Sequence, residues 1–194
     1  MYFKISFIAL LAFAACTKFR DEPFKPAPYV KPPTGDSLGW GSLVINEYTP
    51  KGNLDTNEYG DLCKWFEIYN PGNKAIVLDT NFSFSDTFPD PYKFKIRNMN
   101  PAPVIQPNAF LVFWCDYRDT MPAPRQVHTN FNISSKGEQM GIFYTYPGQL
   151  GRAIDSFSFQ PSSASGVSIG RYPDGQGPVD KTLLQRTPGA PNIF

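Results

Sequence analysis

The chain has 194 residues and a formal net charge of +1, with 18 Lys and Arg against 17 Asp and Glu. Lys and Arg form no dense run along it, so the charge pattern argues against direct binding of DNA or RNA. The 20 prolines, 15 glycines and aromatic content of 15% are typical of β-structure with many turns.

The first residues have the features of an export signal. Lys4 supplies a positive charge and residues 5–15 are apolar apart from Ser6, a segment shorter than the ~20 residues of a membrane-spanning helix. The segment ends in Phe13-Ala14-Ala15-Cys16. This motif resembles the lipobox of bacterial lipoproteins, in which lipid is attached to the cysteine. We therefore predict a signal peptide over residues 1–15 and a membrane anchor on Cys16. The alternative is an ordinary secretory signal in which Cys16 is incidental.

Residues 16–40 are predicted to be a tether. They contain Pro23, Pro26, Pro28, Pro32 and Pro33 among polar and charged residues, without a periodic apolar pattern. A segment of this kind in polyproline II extends by ~3.1 Å per residue and acts as a spacer. Asp21 and Glu22 resemble the acidic signals that direct some lipoproteins to the outer membrane, or they are ordinary linker charges. We expect an outer-membrane lipoprotein whose domain faces the periplasm or the cell surface.

The rest of the chain, residues 41–194, is predicted to be one all-β domain. Short apolar segments with strand-like composition recur between turn signals, at 43–45, 65–69, 75–78, 92–96, 110–115, 139–145, 154–159 and 167–171. Residues 110–114 are apolar throughout and predict a central strand covered on both faces. Phe157-Ser158-Phe159 alternates and predicts one buried and one wet face. No sustained helical periodicity follows the signal, so we expect an antiparallel sandwich or barrel.

Motifs in the same region resemble those of bacterial lamin-tail domains. In chain order they are Val44-Ile45-Asn46-Glu47, Trp65-Phe66-Glu67-Ile68-Tyr69-Asn70-Pro71, Val77-Leu78-Asp79, Phe84-Ser85-Asp86, Ile105-Gln106-Pro107, Phe110-Leu111-Val112-Phe113-Trp114, His128-Thr129-Asn130-Phe131, Ser134-Ser135-Lys136-Gly137-Glu138, Ile154-Asp155-Ser156, Gly170-Arg171-Tyr172-Pro173-Asp174-Gly175 and Thr187-Pro188-Gly189-Ala190-Pro191-Asn192. The resemblance implies an immunoglobulin-like antiparallel β-sandwich. It also implies a binding or adaptor module, of a kind that is often attached to nucleases or phosphatases in larger chains.

The sequence offers little for an enzyme. His128 is the only histidine, which excludes any acid–base or metal scheme that needs two. The usual nucleophile-elbow, phosphate-loop and zinc-helix motifs do not occur. We therefore predict a non-enzymatic protein in which His128 is a hydrogen-bonded structural residue.

The loop 55–61 contains hard oxygen ligands at alternating positions. Asp55, Asn57 and Asp61 could coordinate Ca²⁺, because calcium prefers carboxylate and amide oxygens. The spacing differs from that of an EF-hand loop, so a solvated turn is the alternative. We expect no other cofactor.

Two further residue pairs carry structural predictions. If Cys16 carries lipid, Cys63 and Cys115 remain either as a disulfide or as two buried thiols. Glu67 lies in an otherwise apolar strand, where an unpaired charge would be costly. We therefore predict an ion pair between Glu67 and Arg171.

The remaining binding candidates are tyrosines in or near loops, because aromatic rings can stack on sugars or anchor protein partners. They are Tyr59, Tyr92, Tyr117, Tyr144 and Tyr146. The first hypothesis is an adaptor for another envelope protein or a glycan. The alternatives are a structural envelope component without a dedicated ligand and an accessory protein of a calcium-dependent hydrolase.

Overall fold

The computed structural model describes residues 42–146, 151–162 and 165–194. The predicted signal peptide, the predicted lipid attachment at Cys16 and the predicted tether lie outside the described residues. Within those residues the regular structure is β-strand, and they include no helix long and apolar enough to cross a membrane.

Fourteen strands follow one another in the described part of the chain. They are β1 Val44–Tyr48, β2 Asp55–Thr56, β3 Leu62–Tyr69, β4 Ile76–Val77, β5 Phe82–Ser85, β6 Phe94–Lys95, β7 Val104–Ile105, β8 Phe110–Cys115, β9 Thr120–Ala123, β10 Gln126–His128, β11 Glu138–Tyr144, β12 Arg152–Phe159, β13 Ser168–Gly170 and β14 Lys181–Leu183. All eight predicted segments contain a strand. The prediction of an all-β sandwich is confirmed.

The strands form two main sheets. The larger has the order β14-β13-β1-β3-β8-β10-β9, with β2 added to β3. The smaller has the order β12-β11-β5-β6, and β4 pairs with β7 in a separate ladder. Pairing is antiparallel except between β8 and β10, which run parallel. The strand β10 forms an antiparallel pair with β9, and it is β10, not β9, that lies beside β8. The strand next to β8 therefore runs in the same direction as β8.

Aromatic side chains join the two sheets in one core. Phe66 of β3 stacks on Phe113 of β8, with ring centroids 4.8 Å apart. Phe84 of β5 lies 4.4 Å from the Phe113 ring and therefore connects the smaller sheet to the larger. All three rings are buried, and each such burial stabilises the fold by about 1.5–3 kcal/mol.

The predicted central strand is confirmed, because β8 lies between β3 and β10. Its second face is less covered than predicted, since Val112 and Trp114 are only half-buried. The prediction for Phe157-Ser158-Phe159 is confirmed in part, because Phe157 and Phe159 both pack against the core. The face of Ser158 is half-buried and not wet as predicted. The three residues lie at the end of β12, which is an edge strand of the smaller sheet.

Candidate functional site

A buried histidine connects two loops at one end of the larger sheet. His128, the last residue of β10, is 0% exposed. Its Nδ1 lies 2.7 Å from Asp116 Oδ2 and its Nε2 lies 2.8 Å from Glu58 Oε1. Each ring nitrogen is thus paired with one carboxylate oxygen. His128 therefore ties the loop after β8, which carries Asp116, to the β2–β3 loop, which carries Glu58. We call this arrangement the histidine clasp.

The β2–β3 loop is shaped by Asn57. Its Oδ1 accepts hydrogen bonds from the backbone N–H groups of Tyr59 and Asp61, both at 3.0 Å. Its Nδ2 donates to Asp116 Oδ2 at 3.3 Å. Asn side chains favour such local turns, and Gly60 supplies the positive φ of +85° that the turn requires. Asn57 therefore fixes the loop and also contacts the clasp.

The clasp supports an exposed surface made of Tyr59, Asp61, Leu62, Tyr117 and Arg118, which we call the tyrosine–arginine surface. The Arg118 guanidinium lies 4.5 Å from the centre of the Tyr59 ring. It also pairs with Asp61 and, at 3.3 Å, with Asp116. Tyr59 is 49% exposed and Tyr117 is 68% exposed. The surface therefore presents aromatic area and a guanidinium on a supported base.

The backbone beneath this surface is strained. Tyr117 has a φ of +64° and Asp119 a φ of +51°, which are uncommon for residues other than glycine. Strain of this kind costs about 1–3 kcal/mol per residue and persists only where surrounding contacts impose it. Contacts of Asp116 and Arg118 flank Tyr117, and the Asp119 N–H donates to the Thr129 carbonyl at 3.2 Å.

A small cavity adjoins the surface. It measures about 300 Å³, and its polar lining includes Asn53, Asp61, Asp116, Arg118 and Asn132. The Cys63 thiol also borders it, but burial, together with the nearby Asp116 carboxylate, raises the pKa of that thiol. Cys63 is therefore held in its unreactive thiol form.

The residues predicted to bind calcium each have another partner. Asp55 Oδ2 accepts from Trp65 Nε1 at 2.7 Å and pairs with Arg186 at 2.9 Å. Asn57 Oδ1 is used by the loop backbone, and Asp61 pairs with Arg118. In the part of the chain that the structure describes, no group of three or more His, Cys, Asp or Glu is placed to hold a metal ion.

The two cysteines do not form a disulfide. Cys115 lies opposite Lys64 in the β3–β8 ladder, and opposed residues in such a ladder point to the same face. Cys63 neighbours Lys64 along β3 and so points to the other face. Both cysteines are free and buried. The alternative of two buried thiols is therefore the correct one.

The predicted ion pair between Glu67 and Arg171 is wrong, although Glu67 does have the buried partners that its burial requires. Glu67 accepts hydrogen bonds from Asn46 Nδ2 at 3.1 Å and from the Gly189 N–H at 2.8 Å. Arg171 pairs instead with Asp155 at 2.9 Å. The C-terminal segment contacts Glu67 through Gly189, whereas Arg171 extends toward Asp155 of β12.

Of the five candidate tyrosines, Tyr59 and Tyr117 are exposed. Tyr144 is buried, and Tyr146 packs against the core. The Tyr92 hydroxyl accepts a hydrogen bond from the Gly151 N–H at 2.6 Å. The prediction that His128 is a hydrogen-bonded structural residue is confirmed. Nothing in the sequence indicates that Asp116 and Glu58 are its partners.

In comparisons with known proteins, no protein-family model and no curated protein matches the chain. The lamin-tail resemblance therefore stays a prediction that depends on the motifs themselves.

Proposed function

We propose that this protein is a lipid-anchored, non-enzymatic adaptor of the outer membrane that binds another envelope protein through its tyrosine–arginine surface. The lipobox-like motif at Cys16 supports the anchor. The prolines between residues 16 and 40 support a spacer between that anchor and the domain.

The histidine clasp is the observation that carries the proposal. It joins two loops through a fully buried ring, so the surface above it is arranged before any partner arrives. Preorganisation of this kind reduces the ordering cost of binding. Tyr and Arg are also the residue types that most often dominate protein–protein interfaces. Arg118 contacts the Tyr59 ring here, and the exposed Tyr117 precedes Arg118 in the chain.

The chemistry of the same region supports a binding role over a catalytic one. Both ring nitrogens of His128 contact carboxylates, so the ring has no free nitrogen with which to activate a nucleophile. Burial raises the pKa of both Cys63 and Cys115. A thiol held protonated is a poor nucleophile.

We further propose that the domain is an immunoglobulin-like lamin-tail domain. Motifs that carry the resemblance and are far apart in the sequence meet in space, which supports this proposal. Thr187 Oγ1 donates to Glu47 at 2.8 Å, the Gly189 N–H donates to Glu67 at 2.8 Å, and the Asn192 N–H donates to Asp174 at 3.0 Å. The motif at 187–192 therefore connects the motifs at 44–47, 65–71 and 170–175 through hydrogen bonds.

Capture from solubilised native membranes tests the proposed function. The lipidated protein and a Tyr59→Ala/Tyr117→Ala variant are used as baits. Tyr172→Ala serves as the control, because Tyr172 is comparably exposed at 46% and lies outside the surface. We expect one envelope protein to bind the native chain and the control but not the double variant. With the purified partner, the Kd of the double variant should then be at least tenfold higher than the Kd of the native chain.

Two results would contradict the proposal. The first is that no protein is retained differently by native and double-variant baits, which would favour a structural component without a dedicated ligand. The second is that the purified partner binds the double variant as tightly as it binds the native chain.

A further inference from the structure

A second cavity lies at an end of the smaller sheet. It measures about 430 Å³, within the usual ~300–1,000 Å³ range of ligand sites. Three segments form it, namely the loop after β5, the turn before β11 and the end of β12. The last two are joined where Glu138 pairs with Phe159 in the β11–β12 ladder. It shares no lining residue with the cavity beside the tyrosine–arginine surface, and we call it the Glu138 cleft.

The walls of the Glu138 cleft are held by hydrogen bonds. Asp86 accepts from Lys93 Nζ with both carboxylate oxygens, at 2.5 and 2.8 Å. Glu138 Oε2 accepts from the Ser134 N–H at 2.7 Å, and Gln139 Oε1 accepts from the Phe88 N–H at 2.6 Å. The site is therefore formed before a ligand arrives, as is usual for small-molecule sites.

Close approach of the backbone shapes the turn. Gly137 has a φ of +88°, and a Cβ atom placed on it would lie 2.8 Å from the Phe159 carbonyl oxygen. Only glycine fits that position without displacement of the backbone. The cleft floor thus depends on tight contact between the turn and the end of β12.

The lining combines hydrogen-bond acceptors, donors and an aromatic ring. Asp86 and Glu138 offer acceptor oxygens, Lys136 offers an ammonium donor and Gln160 offers both kinds of group. Phe159 contributes a half-buried ring. Ser158 Oγ, which is buried, has no hydrogen-bond partner among the described residues, and such a group is costly unless something polar pairs with it.

The charges of the lining decide which polar ligand fits. Asp86 is neutralised by Lys93, and the lining contains one further carboxyl, Glu138, and one further ammonium, Lys136. The cleft therefore carries at most one uncompensated charge and does not strongly select a cation or an anion. Hydroxyl groups both donate and accept, so a polyhydroxylated neutral molecule satisfies this mixed lining best.

We propose that the Glu138 cleft binds a neutral saccharide, with hydroxyl groups directed to Glu138, Gln160 and Asp86 and one sugar face against Phe159. This site is separate from the tyrosine–arginine surface. A protein with both sites links an envelope partner to a glycan.

The test uses the full chain in detergent micelles and isothermal titration calorimetry. The probes are four neutral hexasaccharides, namely maltohexaose, cellohexaose, mannohexaose and N-acetylchitohexaose, with trigalacturonate as a charged comparison. Thr87→Trp places an indole in the cleft at a residue that lines it. Gln176→Trp places the same side chain in an exposed turn outside it. Gln160→Ala removes an exposed lining amide with little effect on folding.

We expect the native chain to bind at least one neutral probe, and more tightly than trigalacturonate. Thr87→Trp and Gln160→Ala should weaken that binding at least tenfold and about threefold respectively, whereas Gln176→Trp should leave it unchanged. Far-UV circular dichroism verifies that each variant folds, and if Thr87→Trp does not fold then Gln160→Ala decides. The inference is overturned if the native chain binds no neutral probe at millimolar concentration, if trigalacturonate binds best, or if substitutions in the cleft leave the affinity unchanged.

Discussion

Glu47 and Glu67 lie directly opposite each other in the β1–β3 pair, and both are fully buried. Glu47 accepts hydrogen bonds from Thr187 through its Oγ1 and its N–H, at 2.8 and 3.2 Å, while Glu67 accepts from the Gly189 N–H at 2.8 Å. Two carboxylates in the larger sheet thus hold the C-terminal segment. A β-bulge at Asn46 in β1 accompanies this arrangement.

Removal of the Glu67 carboxyl should loosen the C-terminal segment. Glu67→Ala removes the acceptor of the Gly189 N–H and one of the two acceptors of the Asn46 amide, so we expect a loss of about 2–3 kcal/mol in the free energy of unfolding. Burial raises the pKa of Glu67 well above its usual value. Gln resembles the protonated acid, and Glu67→Gln should therefore cost less than half as much. Urea denaturation measures both.

The exposed Asp180→Ala is the control for this pair of variants, because its side chain is 52% exposed. It should change stability by no more than about 0.5 kcal/mol. A loss below that level for Glu67→Ala would show that the hydrogen bond between Glu67 and the Gly189 N–H contributes nothing to stability.

Loss of the His128 ring should leave two carboxylates without the group that bridges them. We expect His128→Ala to destabilise the fold by about 3 kcal/mol at neutral pH, the usual cost of breaking a buried pair. Adding Glu58→Gln removes one of the orphaned charges and should recover part of the loss. Denaturant unfolding of the single and double variants measures the coupling. Strictly additive effects would mean that Glu58 and His128 do not interact.

Glu138 should make stability depend on pH. Burial raises its pKa from 4.5 to about 7, although the Ser134 N–H hydrogen bond acts in the opposite direction. The folded state therefore keeps a proton that the unfolded state releases, so the stabilisation is complete below about pH 4.5 and is lost as the pH rises through about 7. Relative to Glu138→Gln, the native chain should lose about 1–2 kcal/mol between pH 4.5 and 8, a value reduced for partial exposure.

Thermal melting of native and Glu138→Gln protein across that range measures the effect. Glu47 and Glu67, whose pKa values burial also raises, are common to both chains and cancel in the difference. Parallel pH profiles for the two chains would contradict the raised pKa of Glu138.

The cysteines of the domain should remain reduced under oxidising conditions. Cys63 and Cys115 point to opposite faces of the β3–β8 ladder, so a bridge would require the strands to separate. We expect a Cys16→Ser variant to react with a maleimide only after denaturation, and then at both thiols. Intact mass spectrometry before and after reduction is the measurement. A mass lower by two hydrogens before reduction would reveal a disulfide.

Short apolar segments with turn residues between them were sufficient to predict the main strands, because burial and turn chemistry act locally. The short edge elements were harder. β9 contains Pro122, which normally argues against a strand, and it is tolerated because β9 lies at the edge of its sheet. Phe157-Ser158-Phe159 alternates correctly, but the edge position of β12 leaves both faces partly covered.

The candidate site was only partly predictable for a different reason. The acidic loop at 55–61 was recognised, yet its residues pair with groups far away in the sequence. Asp61 meets Arg118, Glu58 meets His128 and Asp55 meets Arg186. One sequence reveals that such charges need partners but not which partners the topology supplies. The same limit explains why Arg171 was assigned to Glu67 when Asp155 is its partner.

Site-specific photo-crosslinking in intact cells of the native host tests the adaptor account most directly. A photoreactive phenylalanine analogue replaces Tyr117 in one variant and Leu184, which is 86% exposed, in another. The account predicts a discrete covalent adduct with one envelope protein from position 117 and none from position 184. No adduct from position 117, or the same adducts from both positions, would contradict it.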